Sequence, residues 1–154
     1  MKVWFVLRSY GVNGLREFIR KHVKLGEYFA SLLESRPDIF SITTAPAFGL
    51  VTFQIKPSNP TSNATAADQP NPAHEAYTND FSPNAEAQYQ EDVNQRTKEV
   101  YEKVNSRGEY FLTSTVICGQ YVIRVVSATI LSEEKWLKGC FEEIVKVVEE
   151  GKGE

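Results

Sequence analysis

The sequence lacks the long apolar run that a membrane-spanning helix requires. Its longest apolar run is Val3–Leu7, whereas a spanning helix needs about 20 residues. An excess of positive charge is also absent, because the formal net charge is −3 and the isoelectric point is near 5.5. Binding to nucleic acid or to an anionic membrane surface depends on such an excess. We therefore expect neither a nucleic-acid partner nor a membrane partner.

Cysteine and histidine are scarce as well. The two cysteines, Cys118 and Cys140, and the two histidines, His22 and His74, show no paired metal-ligand spacing on any predicted element. We therefore expect no metal site and no disulfide framework. A chain with so few cysteines and no signal-type apolar segment after Met1 fits a reducing compartment, so we expect a cytoplasmic location.

The middle of the chain is the region poorest in large apolar side chains. Residues 57–92 contain no Val, Ile, Leu, Met or Trp, but they hold five of the seven prolines. Such a stretch buries too little apolar surface to offset the entropy lost on ordering, so it predicts a disordered Pro/Asn/Ala-rich insertion. On this interpretation residues 1–56 and 93–150 form a single domain, and residues 151–154 are a tail.

The flanking regions predict the order helix, strand, strand, helix, strand, strand, helix. Apolar residues recur at helical spacing over 15–33, 93–104 and 137–148, and β-branched and aromatic residues mark strands over 40–43, 48–55, 110–117 and 121–128. Cys118-Gly119 is the predicted turn of a hairpin, Gly108 the predicted stop of the second helix, and Ser132 the predicted N-cap of the last helix. The fold class is therefore α+β, with an antiparallel sheet and helices packed on one face.

The N-terminal segment Val3–Leu7 is apolar at every position. Periodicity alone leaves two alternatives, a buried strand or one turn of a buried helix. Gly11 and Gly14 predict a break between this segment and the helix that follows. A folded domain of this size covers one side of such a segment but not all of it, so we expect part of it to be exposed.

Few residues are candidates for chemistry. Cys140 lies on the apolar stripe of the last helix and is interpreted as a core residue, and Cys118 has no base placed beside it. His22 falls on the buried side of its helix, where a structural histidine is the simpler interpretation. The segment 11–14 has neither dinucleotide-binding nor phosphate-loop spacing, which leaves it as a helix break.

Arg124 is the most informative charged residue. It is the only charge in the segment 121–126, which is otherwise rich in apolar residues and typical of a central strand, so its guanidinium must find a partner. Two alternatives stay open. The arginine forms a structural pair with a carboxylate or with backbone carbonyls, or it binds the carboxylate of a ligand through its planar fork.

Several segments together resemble one enzyme family. Residues 1–16 read MKVWFVLRSYGVNGLR and residues 18–23 read FIRKHV; residues 48–56, 104–108 and 121–125 continue the match in order. These segments resemble the C-terminal domain of the pyridoxal-phosphate-dependent aromatic-L-amino-acid decarboxylases. The resemblance implies the small-domain portion of a fold type I enzyme, with 57–92 inserted where the family has a short connection.

The resemblance also implies what this chain lacks. In that family the Schiff-base lysine, the acidic partner of the pyridine nitrogen, the stacking histidine and the phosphate-binding residues lie upstream, in a larger domain. No catalytic or cofactor-binding residue is therefore expected here, and this chain alone is expected neither to bind pyridoxal phosphate nor to decarboxylate an amino acid. In related glutamate decarboxylases the arginine matching Arg124 contacts a substrate carboxylate, so the resemblance makes Arg124 a substrate-binding candidate.

The implied partners are the large cofactor-binding domain, a second subunit in a homodimer and, through the parent enzyme, an amino-acid substrate. The small domain would complete the wall of the active-site cleft and pack Val3–Leu7 against the large domain. Two other classes stay open: a stand-alone binding or interaction module derived from the small domain, and a regulatory amino-acid-sensing domain of similar architecture.

Overall fold

The helices and strands follow one another in the order that the sequence predicts. The fold is taken from a computed structural model, which describes residues 2–57, 83–129 and 131–151. The elements are α1 (Lys2–Glu34), β1 (Phe40–Ala47), β2 (Leu50–Ile55), α2 (Pro83–Arg107), β3 (Thr113–Ile117), β4 (Gln120–Val126) and α3 (Glu134–Glu150). Gly108 follows α2 with φ +74°, as expected of a helix stop, and Cys118-Gly119 form the β3–β4 turn.

The four strands form one antiparallel sheet in the order β1-β2-β4-β3. Strand β4 is therefore an interior strand, as the sequence predicts for the segment that carries Arg124. In the β2–β4 register Leu50 pairs with Val126 and Phe53 with Ile123, so both side chains of each pair lie on the same face. The predicted fold class is confirmed.

The core lies between the helices and one face of the sheet. Val51, Phe53 and Ile55 alternate along β2 with Thr52 and Gln54, as the two-residue repeat of a strand requires. All three helices contribute to the same core. Its buried members include Leu25, Phe29 and Leu33 from α1, Val100 and Val104 from α2, Ile144, Val147 and Val148 from α3, and Ile123 and Val125 from β4.

Side chains of α2 replace part of the sheet's hydrogen bonding. The β2–β4 ladder ends at the pair Phe53–Ile123. Beyond it, the Ile55 backbone N–H donates to Thr97 Oγ1 at 3.0 Å, and the Tyr121 N–H donates to Asn94 Oδ1 at 2.7 Å. Buried backbone groups need partners, so α2 satisfies at this point what a longer ladder would satisfy.

Several predicted boundaries are wrong; the first strand continues to Ala47, and Phe48, predicted to begin the second strand, lies in the turn. Helix α2 begins at Pro83, so residues 83–92 are helical and not part of a disordered insertion; the rest of the predicted insertion, 58–82, lies outside the described residues. A low apolar content does not forbid an exposed helix made of Ala, Glu and Gln, which have good helix propensity. Likewise Ser132 does not cap α3: its hydroxyl pairs with Thr129 Oγ1 at 2.7 Å, and Glu133 precedes the helix without a side-chain cap.

The N-terminal segment is helical but not buried. Gly11 has φ 64° and ψ 176°, so α1 is two helical segments joined at a kink, as the glycines predict. We call residues Lys2–Tyr10 the arm. Every side chain described in it is exposed, among them Trp4 at 60% and Phe5 at 59%. The helical alternative is therefore correct, and the expected burial is absent within the described residues.

Candidate functional site

Arg124 lies in the middle of the sheet with buried neighbours on its own strand. It pairs in register with Thr52 of β2 on one side and with Thr113 of β3 on the other. The three side chains share one face, because directly opposite residues of antiparallel strands point the same way, and this is the face opposite Ile123 and the core. The Arg124 side chain is half-buried.

No carboxylate of the described part of the chain pairs with Arg124. The ion pairs found there involve other arginines and lysines, and the contact at Arg124 is a bond from Thr113 Oγ1 to its backbone carbonyl oxygen, at 3.3 Å. The structural-pair alternative therefore finds no internal carboxylate among these residues. The half-buried Arg124 side chain, which no carboxylate of the described residues pairs with, suits a carboxylate from another molecule or domain.

Arg124 borders a depression of about 470 Å³ that aromatic side chains also line. Phe111 is 84% exposed and Trp136 56% exposed, and Tyr110 also lines the depression, with its hydroxyl beside Gly139 of α3. None of these aromatic residues was expected at the site from the sequence. Trp136 carried a usable signal, because it is a large apolar side chain at the edge of the predicted stripe of α3, one turn before Cys140.

His22 is a structural residue, as predicted. It is 4% exposed; its Nδ1 is 2.6 Å from the Phe18 carbonyl oxygen and its Nε2 is 2.9 Å from the Thr129 carbonyl oxygen. A neutral ring donates one of these bonds, and a protonated ring donates both. The ring thus ties α1 to the segment that follows β4. The other histidine, His74, lies outside the described residues.

The two thiols differ strongly in environment. Cys140 is buried in the core, and burial raises the pKa of its thiol to about 12, so it stays protonated and unreactive at neutral pH. Cys118 is exposed in the hairpin turn with φ +49°. Over residues 2–57, 83–129 and 131–151, no group of three or more His, Cys, Asp or Glu side chains is placed to hold a metal ion.

Among the described residues, none of the lysine side chains is held as pyridoxal phosphate requires. A Schiff-base lysine must be held in a preorganised, partly desolvated pocket. Among the described side chains, the most buried lysine is Lys56, which is half-buried and donates to the Pro37 carbonyl oxygen at 2.7 Å. The others are exposed on helix surfaces, for example Lys135, which forms an ion pair with Glu133 at 2.8 Å. No helix in the described part of the chain is long and apolar enough to cross a membrane.

Comparisons with known proteins show which class of protein this fold is similar to. Residues 1–56 match the family model described as "Pyridoxal-dependent decarboxylase conserved domain". In solved structures, 97% of this chain superposes on 26% of Oryza sativa TDC with PLP and tryptamine, with a TM-score of 0.72 and 28% identity. The architecture is therefore similar to a small α+β portion of pyridoxal-phosphate-dependent decarboxylases.

Within that class, the comparisons show similarity to decarboxylases of aromatic amino acids. The chain is 33% identical over 150 residues to tyrosine decarboxylase of Papaver somniferum, covering 97% of its own length and 25% of that protein. It is 25% identical to Catharanthus roseus tryptophan decarboxylase in complex with L-tryptophan, covering 97% of this chain and 25% of that one, with a TM-score of 0.69. The resemblance to aromatic amino acid decarboxylases is confirmed, and the chain spans about a quarter of the length of these relatives.

Proposed function

We propose that this chain is the small C-terminal portion of a pyridoxal-phosphate-dependent aromatic-L-amino-acid decarboxylase. The parent reaction converts the amino acid into an amine and CO2, with the cofactor as electron sink. The observation that carries the proposal is the asymmetry of coverage: nearly all of this chain, but only a quarter of each relative, takes part in the match. The chain alone is inactive, because the residues that hold the cofactor belong to the remaining three quarters.

Within the parent enzyme the chain completes one wall of the active-site cleft. Arg124 is the group suited to a substrate carboxylate, because its guanidinium is half-buried and no carboxylate among the described residues occupies it. The fork of an arginine binds a carboxylate through two parallel hydrogen bonds, which fixes the orientation of the substrate as well as its position. We further propose that the parent enzyme is a homodimer located in the cytoplasm.

A spectroscopic titration tests the inactivity of the chain alone. We expect pyridoxal phosphate to give no saturable aldimine absorbance with the 154-residue chain, although exposed lysines react weakly. A saturable change that disappears on replacing one particular lysine would contradict the proposal and indicate autonomous catalysis.

A chimera tests the relation to the parent enzyme. Residues 1–154 replace the matching quarter of the Papaver somniferum tyrosine decarboxylase, and cofactor binding and amine production are measured. We expect a folded chimera that binds pyridoxal phosphate, and we expect Arg124→Lys in it to lower activity more than cofactor binding. A chimera that does not assemble would contradict the proposal.

The second candidate is a stand-alone interaction module. One observation favours it: the chain closes a core of its own, to which all three helices contribute. The exposed arm opposes it, because a module selected to function alone would cover five consecutive apolar residues. A monodisperse 154-residue chain that binds no hydrophobic dye would favour the module.

A further inference from the structure

A second depression lies between the sheet and the first half of α2. Its volume is about 280 Å³, and residues of β1, β2, β4 and α2 line it. Most of the lining side chains carry hydroxyl or amide groups, so we call it the polar pocket. Its uncharged polar side chains are Ser41, Thr43, Gln54, Tyr89, Gln90 and Gln120.

The polar pocket is separate from the depression beside Arg124. The two share no lining residue. Ser41 and Gln54 are paired in the β1–β2 register, so they share one face of the sheet, and this face is opposite to that of the core residue Phe53. Among the described lining residues, Lys56 is the only charged one. A ligand in the pocket therefore meets hydrogen-bonding groups and a single positive charge.

The side-chain amide of Gln54 is held in one orientation. Gln54 is 6% exposed, and its Nε2 donates to Asn94 Oδ1 at 3.2 Å and to the Tyr121 carbonyl oxygen at 3.1 Å. Gln90 Nε2 donates to the same Asn94 oxygen at 3.1 Å. Because both donors of the Gln54 amide are used, its Oε1 is the atom left for a ligand, and this atom accepts hydrogen bonds. The ligand must therefore bring a donor, such as a hydroxyl group.

Two other groups at the polar pocket have unused hydrogen-bonding capacity. Lys56 Nζ donates to the Pro37 carbonyl oxygen at 2.7 Å, and an ammonium group has further donors to offer. Thr43 Oγ1 is buried and has no hydrogen-bond partner among the described residues. Thr43 lies where the β1–β2 register shifts between Ile42 and Thr44, and such bulges often re-aim a side chain beside a functional site. A buried hydroxyl without a partner is costly, so a ligand that supplies one is favoured.

We propose that the polar pocket binds a small hydroxylated anion, with one carboxylate or phosphate group beside Lys56 and hydroxyl groups bonded to Gln54 and Ser41. Lys56 supplies the opposite charge that a partly buried anion needs, and no carboxylate of the described lining residues repels it. The volume is below the roughly 300 Å³ at which pockets accept drug-sized ligands, so the ligand is about the size of a sugar acid. The inference does not rest on the proposed function, because all the residues it uses belong to this chain.

An NMR titration of the 154-residue chain tests the inference. The probes are gluconate, glucose 6-phosphate and glucose, which are similar in size and carry a carboxylate, a phosphate and no charge. The readout is the shift of the backbone amide resonances of residues 41–43 and 54–56 and of the Gln54 side-chain amide. We expect saturable shifts with at least one anion, with a dissociation constant of roughly 1 mM or lower. Glucose should bind roughly fivefold more weakly or worse, and the anion that binds more tightly identifies the charged group.

Charge substitutions in the lining give a second, opposed pair of expectations. Gln120→Lys should tighten anion binding and Gln120→Glu should weaken it, each by roughly fivefold, because a charge is added close to the ligand. Neither should change the affinity for glucose. Lys56→Gln should remove the preference for anions, and Lys98→Gln, at an exposed position of α2, is the matched control that should leave it unchanged. The melting temperature of each variant is measured in parallel.

Three results would overturn the inference. Shifts confined to another surface, such as that of Arg20 and Lys24 on α1, would show that the anions bind elsewhere. Equal affinity for glucose, or anion affinities that the Gln120 substitutions do not change, would exclude an anionic ligand. No saturable shift with either anion up to roughly 20 mM would show that the pocket holds only water. If Lys56→Gln does not fold, Lys56→Arg, which keeps the charge and should keep the preference, replaces it in the test.

Discussion

The two segments of α1 are both rich in apolar residues, but one is exposed and the other is buried. From Val12 onward the apolar residues recur every three or four positions, and Leu25, Phe29 and Leu33 are at most 5% exposed. In the arm the apolar residues are consecutive and all of them are exposed. Apolar residues at every third or fourth position give a helix one apolar side, which one sheet can cover. Consecutive apolar residues give it two apolar sides, and the second side needs another domain or subunit to cover it. The spacing of apolar residues thus indicates how many sides of a helix pack against other parts of a protein.

The largest expected effect on stability comes from a substitution in residues 12–34 of α1, which we call the packed segment. Phe29 is 1% exposed and its ring lies 6.1 Å from that of Phe53. Phe29→Ala should lower the free energy of unfolding by about 3–5 kcal/mol, through lost burial and the cavity left behind. The matched control is Phe5→Ala in the arm, which should change it by less than about 0.5 kcal/mol. Urea denaturation measures both, and equal effects would show that the arm packs on the core.

A second effect tests how closely the packed segment approaches the sheet. Gly49 has φ +80°, and a Cβ there would lie 2.7 Å from the His22 carbonyl oxygen. Gly49→Ala should cost about 1–3 kcal/mol beyond the strain of its backbone conformation, because backbone atoms must move. Gly119→Ala is the control, since Gly119 has the same φ and nothing within 4 Å. The difference between the two melting temperatures isolates the contact, and equal shifts would show that strain alone matters.

A smaller effect depends on pH and concerns the core beneath the packed segment. Burial raises the pKa of Cys140 from its ordinary 9.0 to about 12. A group whose folded-state pKa is raised stabilises the fold below its unfolded pKa, so this contribution is lost as the pH rises from about 9 toward 12. Between about pH 8 and about pH 10.5, the free energy of unfolding should therefore fall less in Cys140→Ala than in the unsubstituted chain. Cys118→Ala, at the exposed thiol, should behave like the parent; a parallel slope for both variants would contradict the assignment.

The smallest effect on stability belongs to the arm. Trp4→Glu combined with Phe5→Ser should leave the melting transition of the 154-residue chain nearly unchanged, because neither side chain contributes to the core. The same change should reduce dye binding and self-association, since it removes exposed apolar surface. Loss of the folded state would show that the chain itself covers these residues, as a stand-alone module requires.

Much of the fold was predictable because local patterns and tertiary packing agree. The alternation of Val51, Phe53 and Ile55 with polar residues predicts a strand, which the structure confirms, although Thr52 and Gln54 on its other face are buried as well. The spacing of Val93, Thr97 and Val100 predicts a helix stripe, and all three residues are buried. The start of α2 was not predictable from apolar content, because an exposed helical turn needs propensity and not burial. The role of Ser132 was not predictable either, since Thr129 competes for its hydroxyl only once the chain is folded.

The site was predictable in part. The isolation of Arg124 among apolar residues predicts its interior strand, which the structure confirms. Its neighbours Phe111 and Trp136 come from distant parts of the chain, and no local spacing connects them. Whether Arg124 contacts a substrate stays a prediction, because that question concerns the residues that complete the cleft.

Beyond the pair Phe53–Ile123, side chains of α2 replace the hydrogen bonds between β2 and β4. This arrangement affects the order in which the elements fold. Each hairpin, β1–β2 and β3–β4, closes with local contacts and can form early. Their union is different: Tyr121 and Ile55 obtain hydrogen-bond partners only when Asn94 and Thr97 arrive on α2. The two hairpins should therefore join in the same cooperative step in which α2 docks. In hydrogen exchange, the backbone amides of residues 55 and 121 should become exposed together with those of α2, and not with the other amides of their own hairpins.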